Sequence, residues 1–89
     1  MPKFRKKPIV IEAWKWDGNA AVDMRPDWVR GGDYQTTADR ELVVPTHGGV
    51  RYASPGDWII RDAMGEIYPC KPHIFHAGYE VIEEDGQGL

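Results

Sequence analysis

The stretch PGDWIIRDAMGEIYPCKPHIFHAGYEVI, residues 55–82, decides how this chain folds. It opens on Ser54-Pro55-Gly56-Asp57, with Pro and Gly where a type II turn favours them and Asp57 placed to accept nearby backbone N–H groups. Residues 58–62 then read as a strand, with Trp58 and Ile60 on one face and Ile59 and Arg61 on the other. Ala63-Met64-Gly65 turns the chain into a second strand at 66–70. That hairpin makes Glu66 the expected cross-strand partner of Arg61. Residues 71–78 read as a loop or a single helical turn, and 79–84 as a closing strand. Trp58, Tyr68, Phe75 and Tyr79 are expected at the centre of the core, joined by Trp14 and Ile11.

Upstream, PIVIEAW (8–14) is β-branched and apolar on both sides, broken only by Glu12. Such a run suits a strand covered on both faces, in mid-sheet or in a barrel wall. Asp17-Gly18 marks a turn. Residues 19–32 hold the one helical pattern, with Asn19 as a cap and Gly31-Gly32 as a stop. Pro26 either breaks it or starts a second short helix from Asp27 to Arg30, with one or two helical turns expected on each side. Residues 41–45 and 50–54 read as strands joined by a hairpin turn at His47-Gly48-Gly49. The sum is an α+β domain, mainly antiparallel: five to seven short strands with one short helix, as a small curled sheet or barrel-like meander. Residues 1–84 are expected to form a single domain and 85–89 a disordered tail.

An 89-residue chain buries a modest share of its surface, so its stability margin is thin. Its four Trp, four Tyr and two Phe offset this, since each aromatic buries about 150–250 Å². One cysteine, Cys70, rules out an internal disulfide and fits a reducing cytoplasm. With 14 acidic and 11 basic residues the formal charge is −3, against the basic excess of a dedicated nucleic-acid binder. No apolar run approaches the roughly 20 residues that span a bilayer. MPKFRKK resembles the start of a signal peptide, but charge interrupts PIVIEAWKWDG too early for its apolar region. The expectation is an unexported protein without membrane contact, and oligomerisation is an open route to stability.

FRKKPIVIEAW (4–14) and the block at 55–82 together resemble a family of small phage and prophage proteins of unknown function. Those proteins begin with F-R-K-K-P-[IV]-V-[IV]-E-A. They end with P-G-D-W-I-[IV]-R, G-E-x-Y-P-[CV]-K-P-x-I-F and Y-E in that order. The likeness covers about half the chain, at both ends, and leaves the middle uncovered. It implies a phage source and the bacterial host's cytoplasm, and no reaction. In the family it resembles, the positions of His73 and His76 are usually acidic or polar, which marks the two histidines as a peculiarity of this chain.

Catalytic and metal readings are weak. His73-x-x-His76 alone falls short of the four ligands, or three plus water, that zinc takes; Cys70, three residues before, would be a third, and His47 or Glu80 would have to come from elsewhere. A Cys70–His73 nucleophile–base pair lacks an orienting group and an oxyanion loop. RGG at 30–32 reads as a helix stop. No phosphate-binding loop, dinucleotide fingerprint or Ser-His-Asp order is present. The expectation is therefore no enzyme, no cofactor and no metal.

Three functions remain. The first is an accessory protein that binds a host protein and modulates host physiology or defence; it requires an exposed apolar patch. The second is a sponge for a nucleotide-type defence signal, with Arg51, Arg61 and Lys71 on phosphates and Trp58 on the base. The third is a weak nucleic-acid binder through the arm Lys3, Arg5, Lys6 and Lys7, with Trp14 and Trp16 nearby as stacking aromatics.

Overall fold

A computed structural model describes residues 2–4, 9–19, 25–32, 34–80 and 82. Among these residues five strands and two short helices run in the order β1 (Glu12–Lys15), α1 (Asp27–Arg30), β2 (Leu42–Thr46), β3 (Gly49–Ala53), β4 (Trp58–Arg61), β5 (Ile67–Cys70) and α2 (Pro72–Gly78). β1, β4 and β5 form a three-stranded antiparallel sheet with β4 in the middle, and β2 and β3 form a separate hairpin. Among the described residues the sheets do not close into a barrel.

Turn chemistry sets the joints where expected. Asp57 N–H donates to Ser54 O at 2.9 Å across a turn whose Gly56 has φ +99°. The Asp57 carboxylate accepts the Ser54 N–H at 2.9 Å. Between β4 and β5, Asp62 Oδ1 accepts from both Met64 and Glu66 N–H, and Gly65 takes the left-handed position that ends such a three-residue loop. Between β2 and β3 the turn is His47-Gly48, closed by the Thr46–Gly49 pair.

Centrality goes to β4 rather than to the N-terminal run. Ile59 and Ile60 are both buried, one toward each face of the sheet. Residues 8–14 were the expected two-sided strand; instead β1 begins at Glu12 and lies at an edge, while Ile9 and Val10 are exposed. An isolated apolar run looks alike whether it is covered on one face or two.

The register sorts the sheet into two faces. Trp14, Ile59, Arg61, Ile67 and Pro69 share one, and Ala13, Trp58, Ile60, Tyr68 and Cys70 the other. The first face meets the hairpin. There Trp16, Leu42, Val44, Ala53 and Ile59 are fully buried, with Trp14, Trp28, Tyr34 and Ile67 packed around them. Trp16 is the hub: its Nε1–H donates to Arg40 O at 2.8 Å, its N–H to Asp57 O at 2.8 Å, and Arg25 lies over its ring. The second face meets α2, where Phe75 stacks on Trp58 at 4.3 Å and Tyr79 on Phe75 at 5.3 Å. Trp58, Tyr68, Phe75 and Tyr79 thus form a real cluster, but a satellite one. The core centre is Trp16 and the hairpin, where five side chains are fully buried together, whereas α2 buries Phe75 alone.

Two further expectations change. Within 71–78, Pro72–Gly78 form a helix of seven residues, begun by Pro72 at a position where a missing N–H is harmless and held by Phe75 on Trp58. No closing strand forms at Tyr79, Glu80 or Ile82; the rest of 79–84 lies outside the described residues. α1 matches its expected bounds, with Pro26 as its N-cap and Asp27 paired to Arg30. The first half of the expected helical stretch, 20–24, lies outside the described residues.

Candidate protein-binding surface

The β2–β3 hairpin is apolar on both faces. Its pairs are Leu42–Ala53, Val43–Tyr52, Val44–Arg51, Pro45–Val50 and Thr46–Gly49. Leu42, Val44 and Ala53 point into the core. Alternation then places Val43, Pro45, Val50 and Tyr52 on the opposite, outer face. Val50 is 56% and Tyr52 54% exposed, Pro45 is exposed and Val43 half-buried. Antiparallel hairpins with one face on the core usually carry polar residues on the other. The tip is held by His47 Nδ1, 3.0 Å from Glu66 Oε1.

Glu66 is therefore not the partner of Arg61. Arg61 Nη1 donates to Glu12 Oε1 at 3.3 Å, because β1 places Glu12 directly opposite it. That ion pair lies in a shallow groove of about 780 Å³ lined by Glu12, Pro26, Asp27, Trp28, Arg61, Gly65 and Ile67.

The four residues proposed for a nucleotide are only partly gathered. Trp58 pairs with Cys70 across the sheet, next to Lys71. Lys71 Nζ, however, sits 2.9 Å from Asp57 Oδ2, and the Trp58 ring is stacked against Phe75. Arg61 is committed to Glu12 at the other end of β4. Arg51 lies on β3 and is exposed. In the basic arm Lys3 is exposed, while Arg5, Lys6 and Lys7 lie outside the described residues. The companion aromatics are not a stacking platform, since Trp16 is fully buried and Trp14 packs edge-on against it at 5.7 Å.

Cys70 is half-buried, and burial, with Asp57 nearby, pushes its thiol above its ordinary value. An activated nucleophile needs the opposite shift. His73 and His76 are exposed on α2, with His76 edge-on to Trp58 and Phe75. Among the described residues no group of three or more His, Cys, Asp or Glu side chains is placed to hold a metal. No helix among them is long and apolar enough to cross a membrane.

The outer hairpin face was missed in the sequence, although its signal was there. Reading 41–45 and 50–54 at period two leaves no polar face except at Arg51 and the strand ends. No family model, curated protein or solved structure matches this chain.

Proposed function

We propose that this chain is a non-enzymatic accessory protein of the phage kind that its motifs resemble. On this reading it binds a protein in the cytoplasm of a bacterial host and alters that host's physiology or defence. The apolar outer face of the β2–β3 hairpin carries the reading. Val43, Pro45, Val50 and Tyr52 put neighbouring apolar side chains on the outer face of one hairpin, the kind of patch that marks an interaction site. Aromatic side chains such as Tyr52 commonly anchor such interfaces. The nucleotide reading draws less support, because Arg61 and Lys71 already hold carboxylates.

The test compares the wild-type chain with a Val50→Lys/Tyr52→Lys double variant, each immobilised and exposed to host cytosol. Both positions are solvent-facing, so near-ultraviolet circular dichroism should show an unchanged fold. One host protein should be retained by the wild type and fall at least about tenfold with the variant, the loss expected when an anchor is removed. Equal retention by both, or none by either, overturns the reading.

A further inference from the structure

We infer that the outer edge of β3 docks an extended segment of a partner protein with the pattern apolar–acidic–apolar, its acid opposite Arg51. This rests on the protein-binding reading above and gives that partner a chemistry.

The backbone supplies the first half of the inference. A two-residue turn makes its closing pair, Thr46 and Gly49, hydrogen-bonded, and the ladder then alternates. Pro45–Val50 and Val43–Tyr52 are therefore non-bonded pairs, which agrees with Pro45 having no N–H to give. The N–H and C=O groups of Val50 and Tyr52 consequently point away from β2. Among the described residues β3 pairs with β2 alone, and no backbone hydrogen bond reaches those outward groups. The other side of the hairpin is closed: Val43 N–H donates to Gln35 O at 2.8 Å, and Pro45 lacks a donor. β3 has no proline or bulge to blunt its edge, so it is a template for one more strand.

The side chains supply the second half. A strand added to β3 places its residues opposite Val50 and Tyr52 on the apolar outer face, and the residue between them on the face of Arg51. Arg30, Arg61 and Lys71 each hold a carboxylate. Arg51 is exposed and, among the described residues, holds none. An acidic residue completes it, and apolar residues on either side extend the outer face.

A second copy of the chain fits this edge poorly. Two-fold pairing centred on Arg51 sets two guanidinium groups opposite each other in a narrow pair with Cα atoms about 4.5 Å apart. Centring on Tyr52 sets Val50 against Ser54, whose N–H is held by the Asp57 carboxylate and whose C=O accepts the Asp57 N–H. Centring on Val50 runs Tyr52 into the turn at Gly48. Arg51 thus selects against self-pairing while leaving the edge open to a strand that carries a carboxylate.

Two capped peptides, Thr-Val-Glu-Val-Thr-Lys and Thr-Val-Lys-Val-Thr-Lys, test the site at millimolar concentration. The readout is amide hydrogen exchange resolved by nuclear magnetic resonance. The Glu peptide should slow exchange at Val50 and Tyr52 by about twofold when its concentration equals Kd, and more above it. Arg51 N–H, already bonded within the hairpin, should not change. An Arg51→Glu variant should favour the Lys peptide instead. Equal effects of both peptides, no slowing at those amides, or their protection in a concentration-dependent dimer overturns the inference. A host protein lost with Val50→Lys/Tyr52→Lys but kept with Arg51→Glu also overturns it, while leaving the broader protein-binding function standing.

Discussion

Lys71 Nζ lies 2.9 Å from Asp57 Oδ2, and the same oxygen accepts the Ser54 N–H at 2.9 Å. One buried carboxylate therefore closes the turn before β4 and ties it to the residue before α2. Asp57 is almost fully buried while Lys71 is half-exposed, so the two are not equal partners. Asp57→Ala should lower stability by about 2–3 kcal/mol, because it strands the half-buried Ser54 N–H as well as breaking the pair. Lys71→Met should cost only about 1 kcal/mol, since water screens a half-exposed ammonium. Urea denaturation of both variants checks the ranking, and equal losses would contradict it.

Replacing Trp16 is expected to hurt more than replacing any other tryptophan. Its ring is fully buried and its Nε1–H holds Arg40 O. Trp16→Phe should cost about 2 kcal/mol through the lost ring volume and the unpaired carbonyl. Trp14→Phe, at a half-buried edge-strand position, should cost less than about 1 kcal/mol. Thermal unfolding followed by circular dichroism distinguishes the two.

Two left-handed backbone positions should respond unequally to opposite changes. Gly56 has φ +99° with open space where a Cβ would sit, so Gly56→Ala is strained by backbone alone, at about 1–2 kcal/mol. Arg40 occupies φ +64° with a side chain. Arg40→Gly relieves that strain and should stay within about 0.5 kcal/mol of the wild type, although glycine usually weakens a chain through its unfolded-state entropy.

Tyr68 gives a pH signature. Burial, then the neighbouring Tyr79, pushes its hydroxyl up to about 12 from an ordinary value of 10.0. The folded chain thus keeps a proton that the unfolded chain releases, so Tyr68's contribution is complete below pH 10.0 and is lost as pH rises toward about 12. Urea midpoints should fall across that window. A Tyr68→Phe variant should show a shallower fall; superimposable curves would remove Tyr68 as the cause.

Glu12 and Arg61 are both partly exposed at 3.3 Å, and they should couple weakly. A double-mutant cycle is expected to give less than about 1 kcal/mol, shrinking as salt is added. A larger, salt-insensitive value would mean that the groove around them is drier than its open shape implies.

Much of the fold was legible because turns are written locally. Ser54-Pro55-Gly56-Asp57, Ala63-Met64-Gly65 and His47-Gly48-Gly49 each carry the residues their backbone geometry needs, and each turn forms where it was read. Alternation along β4 was equally plain. The rank of the strands was not. Residues 8–14 and 58–62 are both apolar runs, yet only the second lies between two neighbours. Arg61 shows the same gap: Glu66 lies nearer in sequence, but Glu12 is opposite in register. Of the candidate site, the apolar character of Val43, Pro45, Val50 and Tyr52 was visible, whereas its exposure was not.

By itself the sequence determined the antiparallel α+β class, the places where the chain turns, and which side chains share a face of each strand. These follow from φ preferences and from a two-residue repeat, which act over a few bonds. Tertiary structure alone decided that β4 is central, that Trp16 rather than the Trp58 cluster is the hub, and that the outer hairpin face stays in water. Burial is a property of what packs against a side chain, and residues far apart along the chain supply that packing.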